Sequence, residues 1–201
     1  MSKISIKPSS TGTGTYTIEA PSGNLSKTLM LPDEDGTLTT AEQVLANKIT
    51  LGEAKAATGV AVDFTGIPSW AKRVTVMFDG VSTNGTSSVC VRIGDTSIHT
   101  SGYSSVSTLS SGTSVDISSD TSSFVMRWLS ASHIMFGVMV IEKMNNTFMY
   151  VQNHNIATLD GPRCAWGAGS KTLSHALSQI RITTENGTNQ FDDGTINISW
   201  E

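Results

Sequence analysis

The residues of this chain able to do chemistry are few and widely spaced. The four histidines are His99, His133, His154 and His175. No two stand at the H-x-x-x-H spacing that puts two imidazoles on one helix face for a metal ion. Cys90 and Cys164 lie 74 residues apart and form no C-x-x-C pair, so their spacing describes no structural zinc site. They read as two small apolar core residues, with a disulfide as the alternative. Serine is abundant, yet no G-x-S-x-G nucleophile elbow occurs. Gly167-Ala168-Gly169-Ser170-Lys171-Thr172 imitates the tail of a phosphate-binding loop without its leading glycine; Arg163 stands four residues before Gly167. We read Gly167-Ala168-Gly169-Ser170 as a turn. Paired carboxylates hydrolyse glycosidic bonds. Here Asp33, Glu34 and Asp35 are sequence neighbours, as are Asp192 and Asp193 in an expected hairpin turn, where carboxylates are normally solvated. Binding is what remains. Trp166, Tyr150, Tyr103 and His154 are the candidates to offer a flat face to a sugar ring. Ordinary core or rim packing is the other reading of each. No cofactor, catalytic residue or metal ligand is expected.

Charge narrows the partners. The 201 residues carry a formal net charge of −4, and no run of Lys or Arg exceeds Lys72-Arg73. A nucleic-acid binder needs a basic stripe to release counterions from phosphates, so no nucleic-acid partner is expected. The longest apolar run, Ile134 to Ile141, has eight residues. That falls well short of the roughly 18 needed for a membrane helix, so no membrane insertion is expected, and it suits a strand buried on both faces. The opening MSKISIKPSS lacks the apolar core of a signal peptide, which predicts synthesis in the cytoplasm. Five N-x-S/T sequons, at Asn24, Asn84, Asn145, Asn186 and Asn197, read as by-products of turns.

The elements that must position these residues are strands. The chain holds 28 Ser, 26 Thr and 18 Gly; Thr suits pleated strands, and Ser with Gly suits turns. From about residue 57 a period of two appears. Val74, Val76 and Phe78 share one face, as do Val89, Val91 and Ile93, then Ile180 and Ile182, then Ile196, Ile198 and Trp200. Further strands are expected around Val60–Phe64, Phe124–Trp128, His133–Lys143, Thr147–Asn153 and Arg163–Gly167. Asp79-Gly80, Asn84-Gly85, Asp160-Gly161, Asn186-Gly187 and Asp193-Gly194 supply turn residues that tolerate positive φ, and Asn145-Asn146 reads as a tight hairpin. Eight or nine short strands separated in this way predict an all-β fold, a β-sandwich of jelly-roll-like type over residues 53–201. Between Asp95 and Ser123, 17 of 29 residues are Ser or Thr; one or two strands with long loops, or a surface loop, are both consistent with that composition.

Residues 1–52 read differently. Pro8, Pro21 and Pro32 favour extended chain. The apolar residues come in two bursts, Tyr16–Ile18 and Leu29-Met30-Leu31, each too small to bury itself. An extended arm that orders against a partner is expected, with Tyr16, Ile18, Leu29, Met30, Leu31 and Pro32 as its docking contacts. Thr39 or Thr40 can cap a short helix over about 41–48, with Val44, Leu45 and Ile49 on its apolar side. That helix is either a packed linker or the point where symmetry-related copies meet.

Three stretches resemble bacteriophage tail-fibre and related virion proteins: LPDEDGTLTTAEQV in the arm, VDFTGIPSWAKRVTVMFDGVSTNGTSSVCVRIGD over residues 62–95, and the closing FDDGTINISWE. The resemblance covers both ends and the first third of the β-domain. It implies a structural, non-enzymatic virion protein, usually homotrimeric, whose arm docks on other virion proteins. Its C-terminal domain would then face outward to bind a host surface glycan or protein. The chain is much shorter than many tail fibres and has no shaft repeats, which points to a short tail fibre or tail-associated receptor-binding protein. The alternatives are a capsid or tail decoration without a receptor role and a carbohydrate-active enzyme, although tailspike enzymes are usually longer β-helix chains.

Overall fold

Alternation of apolar residues builds the strands and decides which way each side chain faces. In β4 (Arg73–Thr83), Val74, Val76 and Phe78 are buried, while Arg73 and Asp79 are exposed. In β13 (Phe191–Trp200), Ile196 and Ile198 are buried and Trp200 is partly so. The computed structural model describes residues 48–201, apart from 113, 128, 129, 159, 160 and 162. The remaining strands are β1 (Thr50–Leu51), β2 (Lys55–Ala56), β3 (Ala61–Thr65), β5 (Val89–Gly94), β6 (Tyr103–Ser111), β7 (Ser114–Asp120), β8 (Phe124–Met126), β9 (Met135–Lys143), β10 (Met149–Thr158), β11 (Arg163–Thr172) and β12 (Gln179–Thr184). Among the described residues there is no helix, and every strand pair is antiparallel.

The strands form two sheets. The larger runs β1-β13-β4-β9-β10-β11-β6-β7, with β2 also on β13; the smaller runs β3-β12-β5-β8. The chain changes sheet at most connections, so few neighbours in sequence are neighbours in a sheet. The hairpins β6–β7, β9–β10 and β10–β11 are the exceptions. A single apolar core joins the two sheets into a sandwich-like body. It gathers Val76, Phe78, Met139 and Ile196 from one sheet, and Val91, Ile93, Phe124 and Ile182 from the other. Each such side chain contributes roughly 1.5–3 kcal/mol on burial. Tyr103 meets Phe124 edge-on, with ring centroids 5.0 Å apart, and so ties β6 to β8.

Four sequence expectations change. Asp79-Gly80 and Asp193-Gly194 are not turns. They lie inside β4 and β13, where the register slips on both strands. Gly80 and Gly194 take φ of 66° and 93°, and a Cβ on Gly194 would stand 2.4 Å from the Gly80 carbonyl oxygen. Positive φ is required there, but for a facing pair of bulges. Gly167–Ser170, read as a turn, lie inside β11; of the two readings of the Ser/Thr-rich segment after Asp95, strands hold, as the β6–β7 hairpin at the edge of the large sheet. β5 is closed on both faces, since Cys90 is fully buried between Val89 and Val91. The large sheet begins at Thr50, which pairs with Trp200 inside the segment assigned to the arm. The expected helix at 41–48, with Val44 and Leu45, lies outside the described residues, apart from Lys48, which is not helical. So do Tyr16, Ile18, Leu29, Met30, Leu31 and Pro32. Ile49 is described and is 65% exposed, just before the first strand.

Candidate functional site

Strand alternation separates the four aromatic and imidazole candidates. Tyr103, Tyr150 and His154 occupy inward positions of β6 and β10 and are buried; Trp166, at an outward position of β11, is 46% exposed. Three of the four therefore have no face free for a ligand. The Tyr150 hydroxyl accepts a hydrogen bond from the Leu177 N–H at 2.8 Å. The Tyr103 hydroxyl accepts from the Ile93 N–H at 2.8 Å, and its oxygen lies 3.1 Å from the carbonyl oxygens of Ile93 and His99, to which it can donate. Burial pushes both phenols above their usual range. Both anchor loops to the core.

His154 sits in an arrangement that on an open surface would suggest nucleophilic catalysis. Its Nε2 lies 3.0 Å from Ser107 Oγ, and its Nδ1 lies 3.2 Å from Gln152 Oε1. The amide oxygen can only accept, so the network assigns the proton to Nδ1. Nε2 then accepts from the Ser107 hydroxyl, whose oxygen in turn accepts from the Arg127 N–H at 2.9 Å. Burial lowers the His154 pKa to about 4, leaving the ring neutral. Ser107 is fully buried and His154 is 2% exposed. No substrate carbonyl can approach Ser107 Oγ, so the three residues form a buried polar network within the core, in which the Gln152 Nε2 group has no partner among the described residues.

Both cysteines are free. Cys90 is buried, and desolvation raises its thiol pKa to about 11. Cys164 is exposed on the outer side of β11, so only one of the two is the expected core residue. Among the described residues, no three His, Cys, Asp or Glu side chains are grouped to hold a metal ion. Asp192 is engaged by the Ser82 hydroxyl.

Loops gather at the two ends of the strands. At one end, Lys48 leads into β1, and Glu201 pairs with Arg73. Asp95 organises this end. Its carboxylate accepts from the N–H groups of Thr96, Ser174 and His175 and lies 3.0 Å from His99 Nε2. Burial alone would raise its pKa, but these donors hold the carboxyl well below its ordinary range.

At the opposite end, β4 passes into β5 through Asn84–Ser88, and β12 passes into β13 through Glu185–Gln190. The loops are laced together by amide side chains. Asn84 Oδ1 accepts from the Gln190 N–H at 2.9 Å, and Asn189 Oδ1 accepts from the Ser87 N–H at 3.1 Å. Asn186 Oδ1 accepts from the N–H groups of Thr188 and Asn189, each at 3.0 Å. Gly85 permits this approach, since a Cβ there would lie 2.3 Å from the Asn189 side chain. The result is a braced polar tip on which Asn84, Thr86, Asn186, Thr188 and Gln190 are exposed and Glu185 is the one charged residue. Sequence reasoning took these residues for ordinary turns. The available signal was the tripeptide Asn-Gly-Thr, which occurs at both 84–86 and 186–188. The chain matches no protein-family model and no curated protein.

Proposed function

We propose that this chain is a structural protein of a bacteriophage particle, acting as a short tail fibre or tail-associated receptor-binding protein. Residues 1–47 would dock on other virion proteins, and the β-domain would face outward. The observation that carries the reading is polarity. Lys48 enters the domain at the Asp95 end, and the braced Asn-Gly-Thr tip lies at the far end of the same strands. A protein anchored through its N-terminal segment would present that tip to the surroundings. The tip is braced, carries a single charge at Glu185, and is rich in amides and hydroxyls, which suits hydrogen bonding to a host glycan or protein with little ordering cost on contact. The strand orders β1/β2-β13-β4-β9 and β3-β12-β5-β8 support reading the core as the two sheets of a jelly roll. The β10–β11 and β6–β7 hairpins would be additions that widen one sheet.

The test is adsorption. Phage carrying Thr86→Lys and Thr188→Lys should assemble intact particles that adsorb poorly to host cells. Normal adsorption by such particles would remove the receptor-binding role. A decoration protein is the second reading, favoured by the broad uncharged sheet face outside the tip. It requires many copies per particle and near-normal infectivity after deletion.

A further inference from the structure

We infer that the outer face of the large sheet is covered by a second copy of this chain. One row of outward side chains crosses six strands in register: Met77, Val138, Asn155, Trp166, Thr108 and Ile117. The flanking row on one side carries Val106, and the row on the other carries Cys164 and Val115. No Asp, Glu, Lys or Arg interrupts the central row. Val106 is 48% exposed, Val115 64%, Ile117 65% and Val138 39%. Exposed apolar side chains gathered on one uncharged face, with only the neutral Asn155 and Thr108 between them in the central row, mark an interaction surface.

The edge strand makes the case sharper. In β7 the usual pattern is inverted. Asp116 and Ser118 turn toward the inner side, where Asp116 pairs with Arg127 at 2.8 Å, while Val115 and Ile117 turn outward. An alternating strand places its apolar side against something. Within this chain the described residues leave that side of β7 uncovered.

Charge and size indicate the occupant. Each chain carries −4, so two copies repel except where neither presents charge, and this face is such a place. Three rows across six strands project roughly 600 Å² at the usual strand and residue spacings. Corrugation by side chains brings the accessible area near the roughly 800 Å² per partner of a stable interface. Beside Trp166 the small residues Gly167, Ala168 and Gly169 floor an open depression of about 770 Å³, able to take an apolar side chain of the neighbour. Trp166 itself is the type of residue that anchors such contacts. The face runs along the sides of the strands, so copies packed through it leave the tip loops free.

Cys164 lies in the footprint and reports on it, while Cys90 is buried and silent. In the full-length chain, alkylation of Cys164 by a maleimide should be several-fold slower than in the variant Val115→Ser/Ile117→Ser, and sedimentation should give an oligomer. Both replaced side chains are exposed, so the variant should keep the fold by circular dichroism. Equal alkylation rates in the two proteins, fast or slow, overturn the assignment. So does a monomeric mass for the unmodified chain, which would mean that its own N-terminal segment or nothing covers the face. Tip variants should leave mass and thiol reactivity unchanged, so failure here is separable from failure of the receptor reading.

Discussion

His154 couples the stability of this domain to mild acid. Burial holds its folded pKa near 4, against about 6.5 in an unfolded chain. Between those values the unfolded chain binds a proton that the folded domain refuses. Stability is therefore intact above about pH 6.5 and falls as the pH drops toward 4, by roughly 3 kcal/mol over the whole window. Unfolding midpoints at pH 7 and pH 4.5 should show the loss, and His154→Gln should flatten it. Equal slopes in the two proteins would mean that the imidazole is not the group responsible. Asp95 acts in a different window. Its pKa is lowered in the fold, so its contribution is present above the ordinary carboxylate range and is lost only below it. Asp120, whose burial alone would raise its pKa but whose Ser123 and Ser122 hydrogen bonds lower it, acts in the same window, so acid loss above about pH 5 belongs to the histidine.

At the scale of elements, the facing bulges in β4 and β13 are the most constrained feature. A side chain at Gly194 meets both an unfavourable φ of 93° and the Gly80 carbonyl oxygen at 2.4 Å. Two strand backbones would have to part. Gly194→Ala should cost roughly 3 kcal/mol or more, read as a fall in the denaturation midpoint at unchanged m-value. A loss within measurement error would show that the strands can separate at little cost. The bulges also allow Phe78 and Val81, three residues apart, both to reach the core. Strict alternation would turn one of them outward.

At the scale of the whole molecule, the core cluster of the described residues runs from Ala57 to Ile198. A chain lacking residues 1–47 should therefore fold to the same cooperative domain, with near-ultraviolet circular dichroism like that of the full chain. Non-cooperative melting of the shortened chain would show that the N-terminal segment contributes to the core. Light scattering on the same chain divides the work of assembly. An oligomer that survives assigns assembly to the outer sheet face; a monomer assigns it to residues 1–47, as the sequence suggested for a homotrimer.

The strands themselves were legible in the amino-acid order, because alternation is local. Val74, Val76 and Phe78, and Ile180 and Ile182, needed only a period of two to declare their common face. Gly80, Gly161, Gly187 and Gly194 were legible as glycines needing positive φ, whereas Gly85 is needed for close approach to Asn189 instead; whether each marks a turn or a bulge was not legible, since that difference depends on which strand lies opposite. Only the tertiary structure decided that His154 and Tyr150 are core while Trp166 is surface, although all three belong to adjacent β10 and β11. It also decided that two Asn-Gly-Thr segments about 100 residues apart meet in one tip. Strand order in an antiparallel sandwich is set by long-range pairing. No short window of sequence carries the energy of contacts that form only when distant strands close on one another.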